Sequence, residues 1–246
     1  MTGPVLADAL SAAEGVQGWL SDDQAGRLWE RAGALSPPAT VVEIGSYRGR
    51  SAIVLATAAR GGVEIVAIDP HAGNDRGPQE IHGTGAEGEA DHRAFLANLR
   101  RAGVDGRVRH VRRPSQEALD EVDGPIDLLY VDGAHRYAPA RDDIARWGAR
   151  VAPGGTMLIH DSFSSVGVTL ALVRLLFASG QWRYAGRART LAEYRREPLR
   201  GRDRRRNLAR QAAQLPWFAR NLAIKVALTL GARPVARRLG SGEWPY

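Results

Sequence analysis

The 246-residue sequence predicts an open α/β sheet with helices on both faces and a basic helical appendage after it. Three observations carry that expectation: short β-branched runs recur through the middle of the chain, helix-length segments separate them, and the excess positive charge lies behind them. The runs at residues 40–44, 63–68, 108–111, 126–131 and 156–159 are mostly apolar, and three of them lead directly into Gly45, Asp69 and Asp132. Strands buried on both faces of a parallel sheet have this character, because helices cover each side. Residues 51–60, 90–102, 115–119, 138–151 and 164–179 are the intervening helices, and residues 182–184 with 191–194 form a closing β pair. Strand–helix alternation of this kind implies right-handed crossovers. A leading helix over residues 21–35 starts at Ser21, Asp22 and Asp23, carries Leu28, Trp29 and Leu35, and stops at Ser36-Pro37-Pro38. The chain therefore divides into a helical segment (1–37), an α/β domain (38–195) and a tail (196–246).

Composition removes several function classes. Apolar residues make up 44% and charged residues 25%, enough for a packed core. Without any cysteine there are no disulfides, thiolate metal sites or cysteine nucleophiles. The opening MTGPVLADALSAAEG has no basic region followed by an apolar core, so it does not read as a signal peptide. No apolar run is long enough to span a bilayer, and the expected location is cytoplasmic. The net charge of +7 is unevenly spread: residues 1–195 hold 22 basic and 24 acidic side chains, residues 196–246 hold 12 and 3. The domain is near neutral and the tail carries the excess. Its basic run over residues 200–210 lacks interleaved aromatics, which argues against nucleic acid. Beyond it, Phe218, Leu222, Val226 and Leu230 fall on one helical stripe, widened by Trp217, Ile224 and Leu228. Such a helix packs on the domain or on a second subunit, the favoured outcome, or lies at the inner surface of an anionic membrane.

Ligands of open α/β sheets bind at the carboxyl ends of the strands. After the first strand comes Glu43-Ile44-Gly45-Ser46-Tyr47-Arg48-Gly49-Arg50-Ser51. Gly45 lets the backbone turn close to a ligand, Gly49 permits close helix–strand contact, and amides at the helix start suit an anionic group. The second strand ends in Asp69, where an acid can accept from both ribose hydroxyls, although the turn lacks the GxGxxG of dinucleotide sites. Residues 70–89 form a long glycine-rich connection, predicted to be a lid, with His71 and His82 able to touch substrate. The fourth strand runs into Asp132-Gly133-Ala134-His135 and the fifth into His160-Asp161-Ser162. If those strands are neighbours, Asp132 and Asp161 meet, two hard carboxylates suited to Mg²⁺, with His135 within reach of the same substrate. Asp142 and Asp143 are expected to be surface acids favoured by a helix start.

The segments VVEIGSYRGRSAIVLA, IVAIDP, IDLLYVDGAHRYAPARDDIARW and APGGTMLIHDSF resemble class I S-adenosylmethionine-dependent methyltransferases. They are most similar to the subgroup of metal-dependent sugar O-methyltransferases and cephalosporin-hydroxylase-like proteins. The resemblance implies a Rossmann-like sheet of order 3-2-1-4-5-7-6 over residues 38–194. It implies that Glu43, Gly45, Ser46, Tyr47 and Gly49 serve the methionine end of S-adenosylmethionine, Asp69 its ribose, and Ser115, alone or with Gln116, its adenine. Asp132 borders both cofactor and metal, Asp132 and Asp161 match Mg²⁺ ligands, and His135 matches the base. His160 departs from the acidic ligand that some relatives have there. The function so implied is O-methylation of a saccharide, glycolipid or glycosylated natural product. The alternatives are metal-free transfer to a small phenol, or a cofactor-binding accessory protein at a membrane without turnover.

Overall fold

Seven strands form one sheet: β1 (Ala39–Ile44), β2 (Val63–Ile68), β3 (Val108–Val111), β4 (Ile126–Val131), β5 (Val151–Ile159), β6 (Trp182–Ala188) and β7 (Leu191–Arg196). Their order is β3-β2-β1-β4-β5-β7-β6, and the first five run parallel while β7 is antiparallel to both β5 and β6. The computed structural model that shows this describes residues 5–74 and 83–240. Helices α1 (Leu6–Ala12), α2 (Asp22–Gly33), α3 (Arg50–Ala58), α4 (Gly85–Arg101), α5 (Tyr137–Gly148) and α6 (Val166–Leu172) accompany the sheet. The tail folds as α7 (Gly201–Ala212), α8 (Leu215–Thr229) and α9 (Arg233–Arg238).

The period-two alternation of each strand sorts its side chains between two apolar layers. Val41, Ile65, Leu128 and Leu158 face a layer containing Leu28 of α2, Ile53 and Leu55 of α3 and Phe95 of α4. Val42, Val66, Leu129 and Met157 face the opposite layer with Ile144 and Trp147 of α5 and Leu172 of α6. Both faces are covered, as the unbroken apolar runs require.

Three local features differ from expectation. Residues 70–89 are not all loop: α4 starts at Gly85, because Thr84 and Glu87 form a reciprocal cap in which Thr84 N donates to Glu87 Oε2 at 2.6 Å. The expected lid over residues 75–82, with His82, lies outside the described residues. The segment 115–119 is two short 3₁₀ turns, Ser115–Glu117 and Leu119–Glu121, rather than a helix. α1 is an addition that the sequence pattern did not signal.

The leading helix is tied to the far side of the sheet. Arg27 and Arg31 of α2 both pair with Glu193 of β7, Arg31 Nε at 2.8 Å, and Gln24 Nε2 donates to Thr190 Oγ1 at 2.8 Å. The tail packs on the domain as well. Asn207 of α7 accepts from Tyr184 N at 2.7 Å and donates to the Trp182 carbonyl at 2.9 Å. Asn221 of α8 donates to the Phe163 carbonyl and Lys225 to that of Ser164, each at 3.0 Å. The predicted stripe of α8 is divided: Ile224 is buried and Trp217 and Phe218 lean on the domain, while Leu222, Val226 and Leu230 are exposed. No helix among the described residues is long and apolar enough to cross a membrane.

Candidate functional site

At the carboxyl ends of β1, β2, β4 and β5 the loops enclose a cavity of about 330 Å³. Gly45, Tyr47, Asp69, Ser115, Asp132, His135 and Asp161 line it, as do Trp19 from the leading segment and Asp143 from α5. Its shape depends on Gly45, which has φ +86° and sits against the backbone of Asp132. A Cβ there would overlap the Asp132 carbonyl oxygen and stand 2.6 Å from its carbon. The two strand ends can approach only because position 45 has no side chain.

Asp69 is held by backbone amides. Its Oδ2 accepts from Ser46 N at 3.0 Å and Tyr47 N at 2.8 Å, and its Oδ1 accepts from His71 N at 2.8 Å. Tyr47 and His71 have φ of 45° and 46°, left-handed values that turn their N–H groups toward the carboxylate. Asp69 and the first turn are thus one unit. Trp19 stacks on Tyr47 with ring centroids 5.4 Å apart, forming an aromatic rim.

Glu43, Ser46 and Gly49 do not line the cavity. Glu43 is fully buried on β1, and neither carboxyl oxygen makes a well-formed hydrogen bond; the Ser46 hydroxyl is likewise buried without one. Burial pushes the Glu43 carboxyl up to about 8, partly offset by the nearby Ser51 and Ser46 hydroxyls. Glu43 and the Ser46 hydroxyl thus form a buried polar pair directly behind the first turn. Gly49 caps α3 at φ +88°, and the close approach it allows is to Phe95 and Leu99 of α4, not to a strand.

On the neighbouring wall the predicted meeting of Asp132 and Asp161 is present, and two histidines join it. His135 Nε2 lies 2.7 Å from Asp161 Oδ2, and His160 Nδ1 lies 3.1 Å from Asp132 Oδ1 and 3.4 Å from Asp161 Oδ2. Tyr130 Oη donates to Asp132 Oδ2 at 2.7 Å. Burial alone would depress the His135 imidazolium, yet the Asp161 bond and the charges of Asp161 and Asp132 hold it above the usual histidine value. For His160, burial is again outweighed by Asp132 and Asp161, and its imidazolium is strongly favoured. Burial opposes ionisation of Asp161, but the two histidines keep it well below the usual carboxylate range. Among the described residues, Asp132, His135 and Asp161 are the group whose ligand atoms could hold a metal ion, all within 4.8 Å of one another. Carboxylates from adjacent strands are the hard donors a divalent cation needs.

Asp143, which the sequence reading placed on the surface, belongs to this cavity, and so does His71, which it placed within reach of substrate. Asp143 is not a surface acid: it is buried, accepts from Ser115 Oγ at 2.5 Å, and burial raises its carboxyl to about 6. The signal was present, since Ala140, Ile144 and Trp147 place Asp143 on the buried stripe of α5. His71 is buried rather than solvated, packed with His92, His110 and Phe95 at ring centroid distances of 5.1, 5.0 and 5.5 Å.

Residues 42–162 match the family Methyltransf_24, described as a methyltransferase domain. The segment contains both walls of the cavity. Over that segment, just under half of the chain, the sequence is similar to a methyltransferase domain. Solved structures share the fold of this chain: cofactor-bound Rv0187 from MTB has a TM-score of 0.53 at 22% identity, covering 79% of this chain and 90% of that one. The O-methyltransferase NovP gives 0.56 at 17% identity, with coverages of 73% and 81%. The O-methyltransferase from Bacillus cereus in complex with SAH gives 0.53 at 18%, with coverages of 78% and 90%. An uncharacterised protein, y4gI, of Sinorhizobium fredii is 29% identical over 129 residues. That match takes in 51% of this chain but only 13% of y4gI's length.

Proposed function

We propose that this methyltransferase transfers the methyl group of S-adenosylmethionine to a hydroxyl oxygen of a saccharide, glycolipid or glycosylated natural product, with Mg²⁺ on Asp132 and Asp161. The observation that carries the proposal is the convergence of Asp132, His135 and Asp161 on the cavity that Asp69 and Gly45 also line. Asp69 accepts from the ribose hydroxyls, the first turn at Gly45 and Tyr47 holds the methionine end with Glu43 buried behind it, and Ser115 borders the adenine. The O-methyltransferase activity of NovP and the Bacillus cereus protein supports oxygen as the acceptor atom.

In the transfer the carbon–sulfur bond breaks as the carbon–oxygen bond forms, and the acceptor proton must leave. A sugar hydroxyl is a very weak acid, so both help with the proton and alignment of the oxygen matter. His135 takes that proton, and Asp161, bonded to its Nε2 at 2.7 Å, stabilises the imidazolium. His160 stands between the two carboxylates, and with His135 it keeps Asp161 ionised. Asp132 and Asp161 would hold a divalent cation, which would supply Lewis acidity that lowers the pKa of the acceptor hydroxyl. The same bond supports a metal-free version, because the Asp161–His135 pair already forms an oriented base. Calorimetry with the cofactor, followed by screening of sugars and phenols for a gain of about 14 mass units with and without EDTA, separates these readings. Binding of the cofactor with sugar methylation lost in EDTA supports the first, EDTA-resistant phenol methylation supports the second, and no cofactor binding overturns both.

A further inference from the structure

α8 is apolar on two opposite sides, and only one is covered. Asn221, Ile224 and Ala227 are buried against the domain and α9. On the other side Leu215, Leu222, Val226 and Leu230 lie at near-helical spacing and are 37, 38, 50 and 76% exposed. Val235 of α9 adds another exposed apolar group at 50%. A contiguous apolar stripe of this kind marks a contact surface rather than chance exposure.

Charge identifies the contact. Residues 200–240 contain a single acid, Asp203, while Arg205, Arg206 and Arg210 of α7 and Arg233, Arg237 and Arg238 of α9 are exposed near the ends of the stripe. A second copy seated there would set these arginines against their own counterparts, so self-association is electrostatically opposed. A partner offering an apolar interior beneath a negatively charged surface meets both halves of the pattern. We propose that α7–α9 dock the protein on an anionic phospholipid bilayer, with the α8 stripe at the acyl boundary and the arginines among the headgroups. The docked helix is braced on the chain just after Asp161 through Asn221 and Lys225, so the bilayer contact is mechanically continuous with the cavity wall.

The test is co-sedimentation of the full chain with phosphatidylcholine vesicles containing phosphatidylglycerol, compared with phosphatidylcholine alone. At low salt the bound fraction should be at least about tenfold higher on the anionic vesicles and should fall as salt screens the arginines. Substituting Leu222→Ser, Val226→Ser and Leu230→Ser together should remove most of the binding, as should Arg205→Gln, Arg206→Gln and Arg210→Gln. All of these side chains are exposed, so cofactor binding and the unfolding transition should be unchanged. Failure of the wild type to pellet, or undiminished pelleting of both variants, overturns the proposal. So does a vesicle-independent dimer that the serine variant dissociates, which would make a second copy the occupant.

Discussion

Gly45→Ala tests the coupling between the two walls of the cavity. Alanine at φ +86° costs about 1–2 kcal/mol for the left-handed conformation alone. The added methyl would also overlap the Asp132 carbonyl oxygen and stand 2.6 Å from its carbon and 2.9 Å from Gly133 N, all backbone atoms that no rotamer change can move. Relief requires β1 and β4 to part at their ends, where Gly45 N bonds to the Ile68 carbonyl at 2.9 Å and Asp132 N to the Ile44 carbonyl at 2.8 Å. Weakening those bonds adds roughly 1–2 kcal/mol. The expected total is a loss of about 2–4 kcal/mol in urea unfolding. The same displacement moves Asp132 and the Asp69-binding amides, so cofactor affinity measured by calorimetry should drop more than about tenfold even where the protein remains folded. Wild-type stability together with wild-type affinity would refute the view that close approach at Gly45 holds the site together.

Other outcomes follow from individual side chains. His135→Ala should abolish methyl transfer in a mass-spectrometric assay while cofactor affinity changes less than about threefold, because the imidazole acts on the acceptor. Because Asp161 and Asp132 hold its pKa above the usual histidine value, His135 becomes the neutral base only as pH rises through that raised value, and the rate should climb with it. Glu43, raised to about 8 against 4.5 when unfolded, favours the protonated folded state: its contribution is complete below pH 4.5 and lost as pH rises through 8, on the order of 4 kcal/mol. Glu43→Gln should flatten stability measured between those limits, and an unchanged slope would count against a neutral, buried carboxyl. Asp69→Asn should weaken cofactor binding by about 1.5–3 kcal/mol, the scale of a lost charged acceptor, with little change in turnover at saturation.

The sheet was legible because a parallel strand covered on both faces must be apolar throughout, as IVAI at the end of β2 and LLYV in β4 are. The acids that close those strands were legible for a related reason: at the edge of a buried sheet a carboxylate needs a partner, and Asp69, Asp132 and Asp161 each have one. What escaped depended on contacts between distant segments. Asp143 meets Ser115 across 28 positions, and His71 meets His92 and His110 across three elements, so composition gave their type without their burial. Gly49 was seen as a close-approach residue, but its neighbour is Phe95, which no local pattern could supply. The start of α4 was hidden because glycines at 83, 85 and 88 resemble a loop, whereas the Thr84–Glu87 cap decided for a helix.

The clasp between α2 and β7 bears on how the molecule can be divided. Glu193 is 1% exposed, and both of its cations, Arg27 and Arg31, come from a segment that precedes the sheet. Cutting the chain before residue 38 would strand a negative charge inside a wall of apolar side chains and strip Thr190 of the Gln24 amide. The opening helices are therefore a fastener rather than a decoration: they lock the antiparallel hairpin to the rest of the sheet, and Trp19, carried just ahead of α2, reaches the mouth of the cavity on the same piece of chain.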